Sequence, residues 1–248
     1  MKVAAAALAL LFVGQPDVAT VTVDLHGRPQ LVRLYGKPGG PAAVVSSGDG
    51  GWIHLAPHIA QLLASRGWFV VGVDSRAYLS SATRSAPLSV DDVPRDYASL
   101  LRLVGASPAP PIFVGVSEGA GLSVAAAADP ALKRRVAGVV AVGLGDNNEL
   151  AWHVRDAIIY LTKGTPKEPS FRATDVVGGV APVPFVMIRP TLDEFVPRPE
   201  SDRVFANALQ PKALWTVPAT DHRFSNNLDG FDAQLIASLR WIDSAARR

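Results

Sequence analysis

The chain has 248 residues, 48% of them hydrophobic and 19% charged, with a formal net charge of +2 at pH 7. This balance indicates a folded globular protein and excludes a disordered chain. So small a charge, with no Lys/Arg-rich run, argues against nucleic-acid binding. Because the sequence contains no cysteine, disulfides, thiol catalysis and cysteine-bound metals are excluded.

The N-terminal segment has the pattern of an export signal. Lys2 is followed by an uninterrupted run of small and apolar residues, 3–14, which is too short to span a bilayer. We therefore predict a signal peptide over 1–19, a periplasmic or secreted location, and a single domain over 20–248. The alternative is that this run is a buried first strand or helix of the fold.

After this segment, short apolar runs alternate with helical patterns. Alternating apolar and polar residues first predict a β-hairpin, and the later strands are continuous Val/Ile/Leu runs, which are typical of parallel strands buried on both faces. The predicted strands cover 18–25, 30–35, 42–47, 68–74, 111–116, 136–144, 183–189 and 212–217. The predicted helices cover 54–67, 91–105, 118–128, 199–209 and 228–242. This order predicts an α/β fold with a mostly parallel central sheet flanked by helices.

One long segment, 144–178, interrupts the alternation. Its first part, 147–163, has a helical pattern, and its second part, 164–175, is irregular. Connections of this length are commonly functional. We predict that the segment forms a small cap over the site.

The chain reads Gly-Val-Ser-Glu-Gly at 115–119, between a predicted buried strand and a predicted helix. A nucleophilic serine on a sharp strand-to-helix turn needs this pattern, because the tight turn leaves no room for side chains at the glycines. Ser117 is therefore the candidate nucleophile. The alternative is a strand that runs into a helix through a flexible loop.

A serine nucleophile needs a histidine base, oriented by a carboxylate. Among the five histidines, only His222 follows a last strand and precedes a final helix, in a loop at the carboxyl edge of the sheet. Asp193 follows the preceding strand, which places the acid between the serine and the histidine in the chain, as this architecture requires. The other candidates for the acid are Glu194, Asp202 and Asp221.

The glycine-rich segment 46–52 follows a predicted strand and opens a helix, so its backbone N–H groups can turn toward a ligand. We assign the oxyanion donors to the N–H groups of Asp49 and Glu118, with Gly50 close to the substrate. Trp52 and Trp152 are candidate pocket walls, with packing in the core as the alternative.

A phosphate-binding loop or a metal site would need further residues. Segment 46–52 lacks the Walker lysine, and the pair His54 and His58 lacks both an intervening glutamate and a third ligand. The prediction is therefore an enzyme with no cofactor and no metal.

These residues carry a resemblance to the α/β-hydrolase superfamily over about 20–245. The chain more narrowly resembles the bacterial VirJ/AcvB family of exported hydrolases, chiefly through SGDGGW at 47–52 and GVDSRAY at 72–78. The resemblance implies a periplasmic serine hydrolase with an α/β-hydrolase fold and a short cap. It also implies a substrate such as the lysyl ester of lysyl-phosphatidylglycerol, and hence peripheral contact with a membrane.

The predicted function is hydrolysis of a small-molecule or phospholipid carboxylic ester. A non-catalytic binding module on the same fold is one alternative, and transfer of the acyl group to an acceptor other than water is another. The carboxylates of Asp49 and Glu118 would favour a cationic aminoacyl group. If Glu118 instead points into solvent, this preference has no basis.

Overall fold

The computed structural model describes residues 18–83, 88–153 and 168–246. At its centre is an eight-stranded sheet, whose strands are β1 (Val18–Leu25), β2 (Arg28–Tyr35), β3 (Ala42–Ser46), β4 (Phe69–Val73), β5 (Ile112–Val116), β6 (Gly138–Val142), β9 (Phe185–Pro190) and β10 (Lys212–Val217). Their order in the sheet is β1-β2-β4-β3-β5-β6-β9-β10. Strand β2 is antiparallel to both β1 and β4, and the other neighbouring pairs are parallel. A separate antiparallel pair joins β7 (Asn147–Glu149) to β8 (Ser170–Arg172).

Helices cover both faces of the sheet. They are α1 (Leu55–Ala64), α2 (Ser75–Thr83), α3 (Val93–Val104), α4 (Glu118–Ala128), α5 (Ala173–Val176), α6 (Arg198–Asn207) and α7 (Leu228–Ala245). Alternate residues of one strand face opposite layers, because side chains alternate along a strand. Val44 packs in the layer under α3 and α4, whereas Val45 packs in the layer under α1 and α7.

The predicted fold class is confirmed: the sheet is mostly parallel and is flanked by helices. Three predicted elements have the observed bounds, namely 18–25, 118–128 and 212–217. Helix α2, which directly follows β4, was not predicted from the sequence. This helix is rich in serine and short, so its apolar pattern is weak, yet it buries Tyr78 and Leu79.

The predicted helix over 147–163 is wrong at its start. Residues 147–149 form β7, and 151–153 are not helical, while 154–163 lie outside the described residues. Tertiary contacts override the helical pattern: Asp146 accepts hydrogen bonds from the N–H and hydroxyl of Thr174 at 3.0 and 2.8 Å, and it pairs with Arg172 at 2.7 Å. These contacts hold β7 against β8 in a segment that was predicted to be irregular.

Two further predictions fall largely outside the described structure. The signal peptide lies mostly in residues 1–17, and the centre of the predicted cap lies in 154–167. In the ranges that the structure does describe, no helix has both the length and the apolar character needed to cross a membrane.

Because α4 packs closely on the sheet, we predict that a single methyl group at Gly115 lowers the stability of the fold. A Cβ atom there would lie 2.2 Å from the carbonyl oxygen of Gly119, which is backbone and cannot swing away. We expect Gly115→Ala to lower the free energy of unfolding by about 3 kcal/mol, as overpacking does. Urea unfolding measures this change.

Gly105→Ala is the control for that measurement. Gly105 has a φ of +63° and nothing within 4 Å of an added Cβ, so its substitution carries only backbone strain, about 1 kcal/mol. Equal losses in the two variants would contradict the packing argument.

Candidate active site

The serine of the predicted turn adopts a strained backbone conformation. Ser117 stands between β5 and α4 with φ 51° and ψ −120°, a region that side-chain-bearing residues rarely adopt. Its N–H donates to the carbonyl of Val142, at the end of the neighbouring strand β6, at 2.8 Å. The turn is therefore held by the sheet itself and presents Ser117 at the carboxyl edge of the strands.

The glycines around Ser117 are required by close approach. At Gly119 a Cβ would lie 2.3 Å from the carbonyl oxygen of Ser47, so this glycine lets α4 touch the loop after β3. At Gly121 a Cβ would lie 2.0 Å from the side-chain oxygen of Asn148 in β7. The sequence pattern therefore has a physical reason at each glycine.

Asp193 and His222 form a hydrogen-bonded pair. Their Oδ2 and Nδ1 atoms are 2.7 Å apart, and both side chains are more than nine-tenths buried. The other carboxylate oxygen of Asp193, Oδ1, accepts hydrogen bonds from the backbone N–H groups of Phe195 and Val196, both at 2.9 Å. Glu194, the fallback acid, accepts the backbone N–H of His222 at 2.8 Å and so positions the histidine loop.

The His222 ring packs next to the strand end that anchors the serine turn. It packs on Gly143, where a Cβ would lie 2.5 Å from Cε1, and Gly143 follows the residue that anchors the Ser117 N–H. The ring of Phe195 packs edge-to-face against the imidazole, with 5.6 Å between the two ring centroids. Nε2 is inaccessible to solvent and has no hydrogen-bond partner among the described residues. This is the ring nitrogen that a general base would use, since Nδ1 is bound to Asp193.

The surroundings of Asp193 keep it ionised. Burial acts to raise its pKa, but the hydrogen bond and charge of His222, together with the two backbone N–H donors, outweigh burial and lower the pKa. The other candidate acids have different partners: Asp202 pairs with Arg189 at 2.6 Å, and Asp221 accepts N–H groups of its own loop. Only Asp193, of these candidates, meets the imidazole.

Ser117 and His222 line one cavity of about 380 Å³. The loop after β3 forms the wall beside the serine: a Cβ at Gly48 would lie 3.2 Å from the Cβ of Ser117. Asp49 and Glu118 line the same cavity, and their N–H groups donate no hydrogen bond within the described part of the chain. Their assignment as oxyanion donors stays a prediction. Gly50 also lines the cavity.

The two tryptophans lie elsewhere. Trp52 donates from Nε1 to the Tyr35 hydroxyl at 3.0 Å and covers Gly72 of β4, and Trp152 is buried with Arg76 over its ring at 4.2 Å. Neither residue is in the cavity lining. The alternative of packing describes both, because Trp52 covers Gly72 of the sheet and Trp152 is buried under Arg76 of α2.

The cavity is lined by more carboxylates than the sequence analysis proposed. The acidic lining residues are Asp49, Glu118, Glu149, Glu194 and Glu200. Glu149 was missed because it lies in the segment predicted to be helical, and Glu200 because it opens α6, far from the motif. For Glu149, the sequence indicated only that its segment, 144–178, would lie over the site.

Glu118 does not simply point into solvent. Burial raises the pKa of its carboxyl well above the ordinary value, and the charges of Asp49 and Glu149 raise the pKa further. Hydrogen bonds from the Glu149 N–H and the Ser117 hydroxyl lower the pKa without cancelling that rise. The carboxyl beside the nucleophile is thus in an environment that disfavours its charge.

His54 and His58, the pair weighed as metal ligands, diverge. His54 lines the cavity, whereas His58 pairs with Asp232 of α7 at 2.6 Å. Within the described ranges, no group of three or more His, Cys, Asp or Glu side chains could hold a metal ion.

A strained serine on a strand-to-helix turn, at the carboxyl edge of a mostly parallel sheet, defines a class of α/β proteins with a nucleophile elbow. The family model for the alpha/beta hydrolase fold matches residues 26–167, more than half of the chain. The chain belongs to the α/β-hydrolase family. The narrower resemblance to VirJ/AcvB stays a prediction.

Solved structures share the fold at low identity. An α/β hydrolase from Penicillium sp. sh18, GrgF, is 14% identical, with a TM-score of 0.65 over 94% of this chain and 100% of that one. The esterase domain of a Rhodothermus marinus protein is 19% identical, with a TM-score of 0.61 over 93% and 98%. A dienelactone hydrolase from Anabaena variabilis is 17% identical, with a TM-score of 0.63 over 91% and 96%. A comparison with curated protein sequences finds no match.

The environment of Glu118 predicts a pH-dependent stability. The pKa of Glu118 is higher in the folded than in the unfolded protein. At low pH the carboxyl is neutral in both the folded and the unfolded protein, so it does not change the stability. Above about pH 4.3, the pKa of glutamate in an unfolded chain, the carboxyl ionises more readily in the unfolded protein, and the free energy of unfolding falls. We expect Glu118→Gln to raise the Tm by roughly 2–4 °C at pH 8 and to leave it unchanged at pH 3.5. Calorimetric scans at both pH values measure this difference.

Asp91→Asn is the matched control, since Asp91 is exposed and outside the cavity lining. It should change the Tm little at either pH. A Glu118→Gln variant that is less stable than the wild type at pH 8 would contradict the assigned cause.

Proposed function

We propose that the protein is a serine hydrolase of carboxylic esters, with Ser117 as nucleophile, His222 as base and Asp193 as orienting acid. The observation that carries this proposal is the imidazole of His222. One of its nitrogens is bound to a buried carboxylate at 2.7 Å, and the other has no hydrogen-bond partner among the described residues. His222 and Ser117 line the same cavity. The membership in the α/β-hydrolase family supports the reaction class.

The chemistry needs only groups of this chain and water. Nε2 of His222 takes the hydroxyl proton while Oγ of Ser117 attacks the ester carbonyl, and the N–H groups of Asp49 and Glu118 stabilise the oxyanion. The carbon–oxygen bond to the alcohol then breaks, and the alcohol leaves with the proton from His222. In the second step His222 takes a proton from water while the water oxygen attacks the carbonyl of the acyl-enzyme. The bond to Ser117 then breaks, Oγ receives the proton from His222, and the carboxylic acid is released.

Asp193 acts through the imidazole. Its carboxylate accepts the Nδ1 proton of His222, which fixes the tautomer with a free electron pair on Nε2 and stabilises the imidazolium that forms. Because the pKa of Asp193 is lowered, the carboxylate stays ionised throughout the neutral range.

The proposed substrate is the aminoacyl ester of an aminoacyl-phosphatidylglycerol, and the proposed location is outside the cytoplasmic membrane. These finer statements rest on the resemblance to VirJ/AcvB and on the signal-like N-terminal run. The acidic lining of the cavity supports a substrate with a positive charge. The protein would then meet the lipid by peripheral contact.

Labelling with a fluorophosphonate probe tests the activated serine. The wild type should be labelled, and Ser117→Ala and His222→Ala should lose labelling by at least 100-fold, since general-base activation contributes about 10²–10⁴-fold. Circular dichroism checks that both variants are folded. A folded wild type that is not labelled would favour the binding module, whereas labelling without ester hydrolysis would favour acyl transfer.

Asp193→Asn tests the orienting acid. The substitution removes the negative charge beside the imidazolium and favours the wrong tautomer, so kcat on an ester substrate should fall about 10³–10⁴-fold. Asp221→Asn is the matched control, because Asp221 is one residue from His222 but bonds its own loop. It should change kcat less than about tenfold; equal losses would remove Asp193 from its role.

A further inference from the structure

A run of three apolar residues lies in the loop after β9, two positions beyond the proposed acid. Phe195, Val196 and Pro197 all line the cavity that Ser117 and His222 share. Their side chains can neither donate nor accept a hydrogen bond. Phe195 and Val196 are half-buried and Pro197 is exposed, so this part of the cavity offers hydrocarbon surface to an incoming molecule. We call these three residues the apolar wall.

The apolar wall is fixed to the same carboxylate that binds the imidazole. The backbone N–H groups of Phe195 and Val196 both donate to Oδ1 of Asp193 at 2.9 Å. The other oxygen of that carboxylate, Oδ2, is 2.7 Å from Nδ1 of His222. One side chain therefore sets the position of the wall relative to the base.

Side-chain contacts place the wall beside the base. The ring of Phe195 packs edge-to-face on the imidazole of His222, with 5.6 Å between the ring centroids. Next along the wall, Cγ2 of Val196 is 3.5 Å from the position that a Cβ atom of Gly145 would occupy, and Gly145 also lines the cavity. The wall thus extends from the imidazole to the segment that follows β6.

Two acids border the wall along the chain, and each is held by a backbone N–H group. Glu194 precedes the wall and accepts the N–H of His222 at 2.8 Å. Glu200 follows the wall and accepts the N–H of Asp146 at 2.7 Å. These hydrogen bonds fix the chain before and after the wall.

The proposed chemistry assigns the wall to one half of the ester. His222 gives its proton to the oxygen of the leaving alcohol, so that oxygen has to come within about 2.6–3.2 Å of the imidazole. The first carbon atoms of the alcohol are bonded to this oxygen and therefore lie beside the imidazole as well. The acyl carbon is instead bonded to Ser117, and its oxygen faces the predicted donors of Asp49 and Glu118. The half of the ester next to the wall is thus the alcohol.

We propose that Phe195, Val196 and Pro197 form a subsite for the hydrocarbon part of the leaving alcohol. This inference rests on the proposed function, and it adds the residues that select the alcohol. A hydrocarbon chain displaces water from the wall, which strengthens binding up to about fourfold for each CH₂ group that becomes fully buried. An aminoacyl-phosphatidylglycerol carries its lipid on the alcohol, which is the half that the wall meets.

Three esters separate the alcohol side from the acyl side. Hexyl acetate and ethyl hexanoate are isomers, and each exceeds ethyl acetate by four CH₂ groups, on the alcohol in the first and on the acid in the second. Dividing each kcat/KM by the rate constant for alkaline hydrolysis of the same ester removes intrinsic reactivity. We expect the longer alcohol to raise this ratio by about tenfold or more, and the longer acid to raise it less. An equal or larger gain from the longer acid would overturn the assignment to the alcohol.

Val196→Thr tests the wall itself, because it replaces one methyl group by a hydroxyl group of similar size. We expect kcat/KM to fall about fourfold for hexyl acetate and less than about twofold for ethyl acetate. Val196→Ala, which only removes apolar surface, should act in the same direction. Val18→Thr is the matched control, since Val18 is exposed in β1 and outside the cavity lining, and it should leave both values unchanged. A preference for the hexyl ester that both Val196 variants retain in full would overturn the subsite.

Binding of the product alcohol tests the wall without any turnover. In the full-length Ser117→Ala protein, NMR titrations with hexan-1-ol and with ethanol give both Kd values. Hexan-1-ol should bind about tenfold more tightly or better, and adding Val196→Thr should weaken its binding about fourfold. Equal Kd values for the two alcohols, or a hexan-1-ol Kd that Val196→Thr does not change, would contradict the wall.

The two proposals fail in different ways. Hydrolysis of all three esters with no gain from the longer alcohol would overturn the subsite and leave the hydrolase standing. Absence of hydrolysis and of fluorophosphonate labelling would overturn the hydrolase and with it the assignment to a leaving alcohol. The hexan-1-ol titration would then still decide whether the apolar wall binds hydrocarbon.

Discussion

The structure depends on one close approach, that of helix α4 to the sheet at Gly119. The helix can only start at Glu118 because Gly119 has no side chain to strike the backbone of the loop after β3. At the same turn Ser117 has a positive φ of 51°, and its N–H donates a hydrogen bond to the carbonyl of Val142. The small residues of α4, almost all buried, spread the contact over the whole helix and offset the local strain.

The same approach sets the electrostatics of the site. With α4 against the loop after β3, the carboxyls of Glu118 and Asp49 are brought together beside Ser117, and Gly121 admits β7 with Glu149. His222, which is paired with Asp193 at 2.7 Å, lines the same cavity.

Much of the site could be inferred from local pattern. The glycines at 115 and 119 indicated a tight turn, and the chain order of nucleophile, acid and histidine left one histidine after the last strand. Parallel strands present their carboxyl ends at one edge, so residues that follow different strands meet there without any knowledge of the side-chain contacts. This is why Asp193 and His222 could be named as partners although 28 residues separate them in the chain.

Other features could not be inferred, because they depend on contacts between distant segments. Trp52 and Trp152 were predicted to line the pocket, but an aromatic side chain serves a wall or a core equally well until its neighbours are known. The pattern at 147–153 favoured a helix, and the side chain of Asp146 stabilises a strand pair there instead. Glu149 consequently reaches the cavity from a direction that no periodicity could indicate.

The sequence by itself determined the eight strands of the central sheet, most of the helices that flank it, the glycine turn and the identity of the three groups proposed to react. Each of these follows from local sterics or from the rule that parallel strands end together. Only the tertiary structure decided which acids face the nucleophile and which hold the loops, since that division is set by packing between segments and by the partners that each carboxylate finds.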